Sequence, residues 1–117
     1  MYVQSFKQLI VWQKSIELVK EVYRRTSQLP KEELYGLSSQ MRRCAVSIPS
    51  NIAEGKKRKT RKDFIQFLRI ADGSAAEIET QMILIKDLYP AIDCSTANSL
   101  LEEVQKMLIT IIRQLER

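Results

Sequence analysis

The sequence predicts an all-α protein, an antiparallel up-down-up-down four-helix bundle with a Pro-kinked second helix, as one domain over residues 1–117. Three observations predict it. Apolar residues recur at alternating spacings of three and four in four successive stretches, the period of an amphipathic helix. Gly and Pro number three each, a scarcity that suits long helices with short links and disfavours a turn-rich β architecture. A composition of 44% apolar and 28% charged residues over 117 positions is that of a folded domain able to bury one continuous core.

The first helix is expected from about Ser5, as N-cap, to Ser27. Leu9, Trp12, Ile16, Val19 and Tyr23 form one stripe along it, and Val11, Leu18 and Val22 a second beside it. Leu29-Pro30 ends it, because a residue before proline avoids the α region. The second helix starts between Lys31 and Leu37 and runs to about Gly55, with Leu37, Met41, Cys44, Ile48 and Ile52 as its apolar side. Pro49 lies within it, removes the hydrogen bond to the Ala45 carbonyl and is expected to kink it. Gly55 suits a left-handed C-terminal position.

The third helix begins at Thr60, with Asp63 three residues on in a capping-box arrangement. Phe64, Leu68, Ala71, Ala75, Ile78, Met82, Ile85 and Tyr89 hold the longest regular seam in the chain. The small residues Gly73, Ser74, Ala75 and Ala76 permit close helix approach at its middle, and Pro90 ends it. The fourth helix runs from Ser95 or Thr96 to the end, on a seam of Leu101, Val104, Leu108, Ile111 and Leu115 widened by Leu100, Met107, Ile109 and Ile112.

A bundle helix needs roughly three apolar positions in seven. Residues 9–23 carry nine in fifteen and residues 100–115 nine in sixteen. Apolar surface beyond one stripe must be covered elsewhere, which predicts a homo-oligomer formed through helices 1 and 4 or their neighbours.

The chain holds no histidine, so the usual triads, His-ligated metals and His general bases are excluded. Neither GxGxxG nor a Walker A loop occurs. The pairs Glu32/Glu33, Glu77/Glu79 and Glu102/Glu103 do not share a helix face and read as solvated charge. Cys44 and Cys94 stand far apart with no CxxC spacing, as free thiols of a reducing compartment do. No stretch is long and apolar enough for a membrane span, and MYVQSFKQLIVWQKS lacks the features of a secretory leader. A cytoplasmic protein with no cofactor, no metal and no catalytic role is expected.

Net charge is +5, and residues 56–62, KKRKTRK, supply six of the nineteen Lys and Arg. Without them thirteen cations face fourteen acids. Lys56, Lys57, Arg58, Lys59, Arg61 and Lys62, aided by Arg42, Arg43 and Arg69, are the candidate contacts to a phosphate backbone, whose counterions such a cluster releases. No aromatic residue interleaves the run, so base stacking is not expected, and binding to RNA or DNA should be independent of sequence. The competing readings are a solubilising loop on an oligomeric protein-interaction module, or a contact to an acidic protein or lipid. A polar stripe, Gln40, Arg43, Ser47, Ser50 or Asn51, and Glu54, lies on helix 2. It reads as a solvated face around the Pro49 kink, as a buried polar contact between helices or subunits, or as a ligand contact. Arg43, Asn51 and Glu54 are the residues an enzyme reading would use.

FKQLIVWQKSIELVKEVY, LPKEELYGLSSQMRRCAVSIPSNIAEG and DFIQFLRIADGSAAEIETQ together resemble the proteins encoded in intervening sequences of bacterial 23S rRNA genes. The resemblance spans nearly the whole chain and rests most on SIPSNIAEG with the downstream IADGSAAE. It covers Arg42, Arg43, Ser47, Ile48, Pro49, Asn51, Ile52, Ala53, Glu54, Gly55, Gly73, Ser74 and Glu77, with Pro49, Asn51, Glu54 and Gly55 as the structural motif. Cys44 stands where a small residue such as Ala is expected. The resemblance implies a small four-helix bundle, favours a pentameric ring with a central channel, and implies no enzyme activity. A related branch, the accessory variability protein of diversity-generating retroelements, is a basic pentamer that binds nucleic acid.

Overall fold

The computed structural model describes residues 5–117; the first four residues of the domain expected over 1–117 lie outside the described residues. The described residues form four α-helices: α1 (Ile10–Thr26), α2 (Leu37–Lys56), α3 (Arg61–Leu88) and α4 (Ser95–Glu116). Two short 3-10 turns precede α1 and α2, at Phe6–Gln8 and Lys31–Glu33, and no strand occurs among the described residues. Each helix packs on its two neighbours in the ring α1–α2–α3–α4, giving a bundle of 50 × 21 × 20 Å.

Contacts between neighbours fall in opposite sequence order. Between α2 and α3, Cys44 meets Gln81, Ser47 meets Ser74, and Gly55 lies against Phe64 and Phe67. Gln105 meets Glu79 and Glu116 meets Arg69 between α4 and α3. Arg25 reaches the Asp93 carbonyl and Lys14 reaches Glu103 between α1 and α4. One end of the bundle therefore gathers the starts of α1 and α3 with the ends of α2 and α4.

The core seam of α3 is the one its spacing predicts: Leu68, Ala71, Ala75, Ile78, Met82 and Ile85 are buried, with Phe64 and Tyr89 half-buried at the two ends. On α1 the second of the two apolar stripes is the deeper. Val11, Leu18 and Val22 are the deep residues, and the buried hydroxyls Ser15 and Thr26 complete their seam. Each hydroxyl is satisfied within its own helix, Ser15 donating to the Trp12 carbonyl at 2.7 Å and Thr26 to Val22 at 2.7 Å. Two polar residues can thus occupy core positions without an orphaned group. Leu9, Trp12 and Val19 pack only partly, and Tyr23 is exposed.

The ends of the helices depart from expectation at Ser5 and Gly55, while α2 starts within the expected range. Ser5 caps the first 3-10 turn rather than α1; Leu9 is extended, and α1 starts at Ile10. Gly36 precedes α2 with no side-chain cap of its own, and Glu33 substitutes: its Oε1 accepts from the Leu37 N–H at 3.3 Å and its Oε2 from the Tyr89 hydroxyl at 2.6 Å. Gly55 is not a left-handed terminus, since no glycine has positive φ, and α2 continues to Lys56. The helix also runs unbroken through the buried Pro49.

Part of the apolar surface expected on α1 and α4 lines an open groove between them that also includes the exposed Ile10. Leu9 and Val11 line this groove with Met107 and Ile111, and α4 has no strongly exposed large apolar residue. The exposed large apolar residues are Ile10 at the start of α1, Ile70, Ile83, Leu84 and Leu88 on α3, Leu34 and Tyr35 in the α1–α2 connection, and Tyr23 and Val46.

Gly73, expected at a close helix contact, faces open space, with nothing within 4 Å of an added Cβ. The close approach falls to its neighbour Ser74, whose hydroxyl lies 2.9 Å from that of Ser47. Gly73→Ala is therefore expected to raise stability by about 0.5–1 kcal/mol, read as an upward shift of the urea midpoint, because only helix propensity changes.

Candidate nucleic-acid interface

The basic run occupies a tight, well-capped corner. Lys56 closes α2, the link 57–60 turns the chain, and Arg61 and Lys62 open α3. The Lys57 and Arg58 N–H groups donate to the Glu54 and Gly55 carbonyls at 3.2 and 3.1 Å. The Thr60 hydroxyl accepts from the Asp63 N–H at 3.1 Å, as the sequence predicts. Gly55 lets α2 and α3 close up beneath this corner. A Cβ there would lie 2.7 Å from Phe67 Cβ and 3.0 Å from Phe64 Cδ1, so no side chain fits without moving α3.

The six cations fall into two groups. Arg58 pairs with Glu54 at 2.7 Å and lies over the Phe67 ring, 4.8 Å from its centroid. Lys56 sits 5.9 Å from the centroid of Phe64. No aromatic lies within the run itself, but two phenylalanines from the first turns of α3 fold back against it. Lys57, Lys59, Arg61 and Lys62 are exposed and make no ion pair among the described residues. Arg61 and Lys62 also stand at a helix N-terminus, where a cation is unfavourable by about 0.3–1 kcal/mol and an anion is welcome.

Folding gathers further charge around this corner. The half of the bundle made by residues 5–16, 47–74 and 105–117 holds twelve Lys and Arg against four Asp and Glu; the other half holds seven against ten. Lys7, Arg113 and Arg117 come to the basic end in this way, from stretches that show no cluster in sequence.

Three of the expected phosphate contacts are not brought to the corner. Arg42 and Arg43 lie on α2 roughly 20 Å from Lys56, at 1.5 Å per residue. Arg42 is also occupied: its Nε donates to Thr26 Oγ1 at 2.9 Å, an Nη to Ser27 Oγ at 3.3 Å, and its guanidinium covers the Tyr23 ring. It ties the end of α1 to α2. Arg69 is two turns into α3 and paired with Glu116.

The polar stripe on α2 divides as well. Ser47 meets Ser74 across the helix interface, and Asn51 Nδ2 donates back to the Ser47 carbonyl and hydroxyl at 2.8 and 2.9 Å. These residues form a half-buried contact between helices. Glu54 belongs to the basic corner through Arg58, so Arg43, Asn51 and Glu54 do not converge on a reaction centre. Arg43 instead borders a polar cleft of about 440 Å³ with Gln40, Cys44, Ser47, Ser74, Glu77 and Gln81. The Cys44 thiol there donates to Glu77 at 3.5 Å. Burial pushes it above its ordinary pKa, and the Glu77 charge adds to the shift; burial raises Cys94 likewise. Both thiols are protonated at neutral pH and poorly nucleophilic. Among the described residues no three metal-binding side chains converge, and no helix is long and apolar enough to cross a membrane.

A family model described as 23S rRNA-intervening sequence protein matches residues 7–111. A 1.70 Å crystal structure of a protein with unknown function, from the S23 ribosomal protein family of Bacteroides thetaiotaomicron VPI-5482, is similar to the chain. It superposes with a TM-score of 0.78 at 29% identity, covering 88% of this chain and 98% of that one. No curated protein matches the chain.

Proposed function

Since the chain belongs to the 23S rRNA-intervening sequence protein family, we propose that it is a non-catalytic, oligomeric nucleic-acid-binding or scaffolding protein that holds phosphate backbones at the basic end of its bundle. The observation that carries this reading is the charge division along the long axis: twelve cations against four acids in one half, with Lys57, Lys59, Arg61 and Lys62 exposed and unpaired at its tip. Such a surface attracts a polyanion end-on and repels it from the acidic half. The short, rigid link presents the charges on a fixed corner rather than a floppy tail. Because the contacts address phosphates, binding ignores sequence.

The oligomer rests on a second observation. Tyr35 is 92% exposed, and Tyr23, Leu34 and Val46 share its open groove with Arg42 and Arg43. Together with Ile83, Leu84 and Leu88 on α3, this is more apolar surface than scattered exposure accounts for. This part of the exposed apolar surface lies in the half remote from the basic corner, whereas Ile10 and Ile70 lie in the basic half. Copies that join through the remote part leave the corner free, and repeated corners on one rim multiply weak contacts. A pentamer is the form we favour. The same surface also supports a second reading, an interaction module for a protein partner with no nucleic-acid role.

Fluorescence anisotropy with a labelled mixed-sequence RNA of twenty nucleotides and its shuffled counterpart, at 50 mM salt, separates the readings. Both strands are expected to bind with affinities within about twofold of each other. No saturable binding of either strand removes the nucleic-acid reading.

A further inference from the structure

We propose that the Arg58 guanidinium, laid on the Phe67 ring and clamped by Glu54, is a stacking platform for one unpaired nucleobase, so that the basic corner prefers single-stranded to double-stranded nucleic acid. The inference deepens the nucleic-acid reading above and rests on it. The guanidinium carbon lies 4.8 Å from the Phe67 centroid, and an Nη sits 2.7 Å from Glu54 Oε2. The guanidinium is thereby held over the ring while the side chain stays 45% exposed. The Glu54 carboxylate offsets the charge of Arg58, which makes this residue a poor phosphate contact. The carboxylate leaves the planar surface intact, and bases stack on guanidinium planes as they do on aromatic rings.

The support beneath the plane is rigid. Phe67 packs so closely on Gly55 that a methyl group at 55 would lie 2.7 Å from its Cβ. Lys57 and Lys59 flank Arg58 in sequence, and Arg61 and Lys62 follow within one turn. A strand whose backbone crosses these cations can turn a base onto the plane. The bases of a duplex are already stacked on one another and cannot. Electrostatics alone predicts the opposite preference, because a duplex carries two strands of charge along the same axis. The sign of the preference therefore distinguishes a platform from a plain basic patch.

The test compares a labelled mixed-sequence 12-nucleotide strand, as RNA and as DNA, with the matched duplexes and with an abasic strand of the same length. Wild type is expected to bind both base-bearing strands on the order of tenfold tighter than the duplexes or the abasic strand. Arg58→Lys keeps the charge but has no plane, and Phe67→Leu keeps the packing but has no ring; both should lose that preference while their salt dependence on duplex stays that of wild type. Arg58 lies on an exposed link, so its variant reports even if Phe67→Leu fails to fold. Duplex binding equal to or tighter than single-strand binding overturns the platform and leaves the phosphate reading standing. A preference that survives Arg58→Lys also overturns the platform. No binding to any of these molecules removes both.

Discussion

Exchanging Lys57, Lys59, Arg61 and Lys62 together for Gln is expected to weaken binding of a mixed-sequence RNA at 50 mM salt by on the order of 10³-fold. The magnitude follows from counterion release. A phosphate contact on a single strand lowers the double-logarithmic salt slope by about 0.7, which amounts to nearly tenfold in affinity per contact between 1 M and 50 mM salt. These four are the cations that neither an ion pair nor a ring holds at the corner. Their loss should not harm the fold. All four are exposed, and removing Arg61 and Lys62 relieves the unfavourable charge at the start of α3, so thermal unfolding is expected unchanged or slightly later. Changing Lys20, Lys31 and Lys86 to Gln in the opposite half is the control. It removes three charges and leaves the affinity within about threefold, since charges more than a Debye length away are screened. Equal losses in both sets would mean that net charge rather than the corner drives association.

Gly55→Val is expected to cost about 2–3 kcal/mol in urea unfolding, although Val is the better helix former. The branched side chain would occupy the space held by Phe67 Cβ and Phe64 Cδ1 at 2.7 and 3.0 Å. Phe67 Cβ is fixed to the α3 backbone and cannot rotate aside, so the strain must move the helices apart. Separation at this point tilts the base of the corner, and binding should fall along with stability. The contrast with Gly73→Ala is informative: two glycines in one bundle give opposite signs, because one meets a neighbouring helix and the other meets open space.

The seam of α3 was legible in the sequence because Leu68, Ala71, Ala75, Ile78, Met82 and Ile85 keep an unbroken apolar spacing, although Ser74 and Gln81 are buried beside it. The seam of α1 was only partly legible: Val11, Leu18 and Val22 were visible as an apolar stripe, and its two hydroxyl members were not. Ser15 and Thr26 read as polar, yet they return their hydroxyl protons to their own helix and bury at no loss. Gly55 was legible as special but assigned to the wrong cause, since a glycine near a helix end suggests backbone freedom and the requirement here is space. The basic run was visible in one line of sequence, whereas Lys7, Arg113 and Arg117 join it only through the ring of packed helices. Phe64 and Phe67 offered a signal that could have been used. Two aromatics within the first turns of the helix that follows a cationic link can fold back onto it. The remote Arg42 shows the limit of reading cations by type: its neighbours Thr26, Ser27 and Tyr23 come from another helix and take its hydrogen bonds and its face.

The salt dependence of wild-type binding to a mixed-sequence RNA, from 50 to 300 mM, probes the phosphate contacts themselves. A double-logarithmic slope of about −3 or steeper is expected, becoming shallower by about 3 in the Lys57, Lys59, Arg61 and Lys62 variant. A flat dependence in wild type, or the same slope in both proteins, would contradict a phosphate-binding corner.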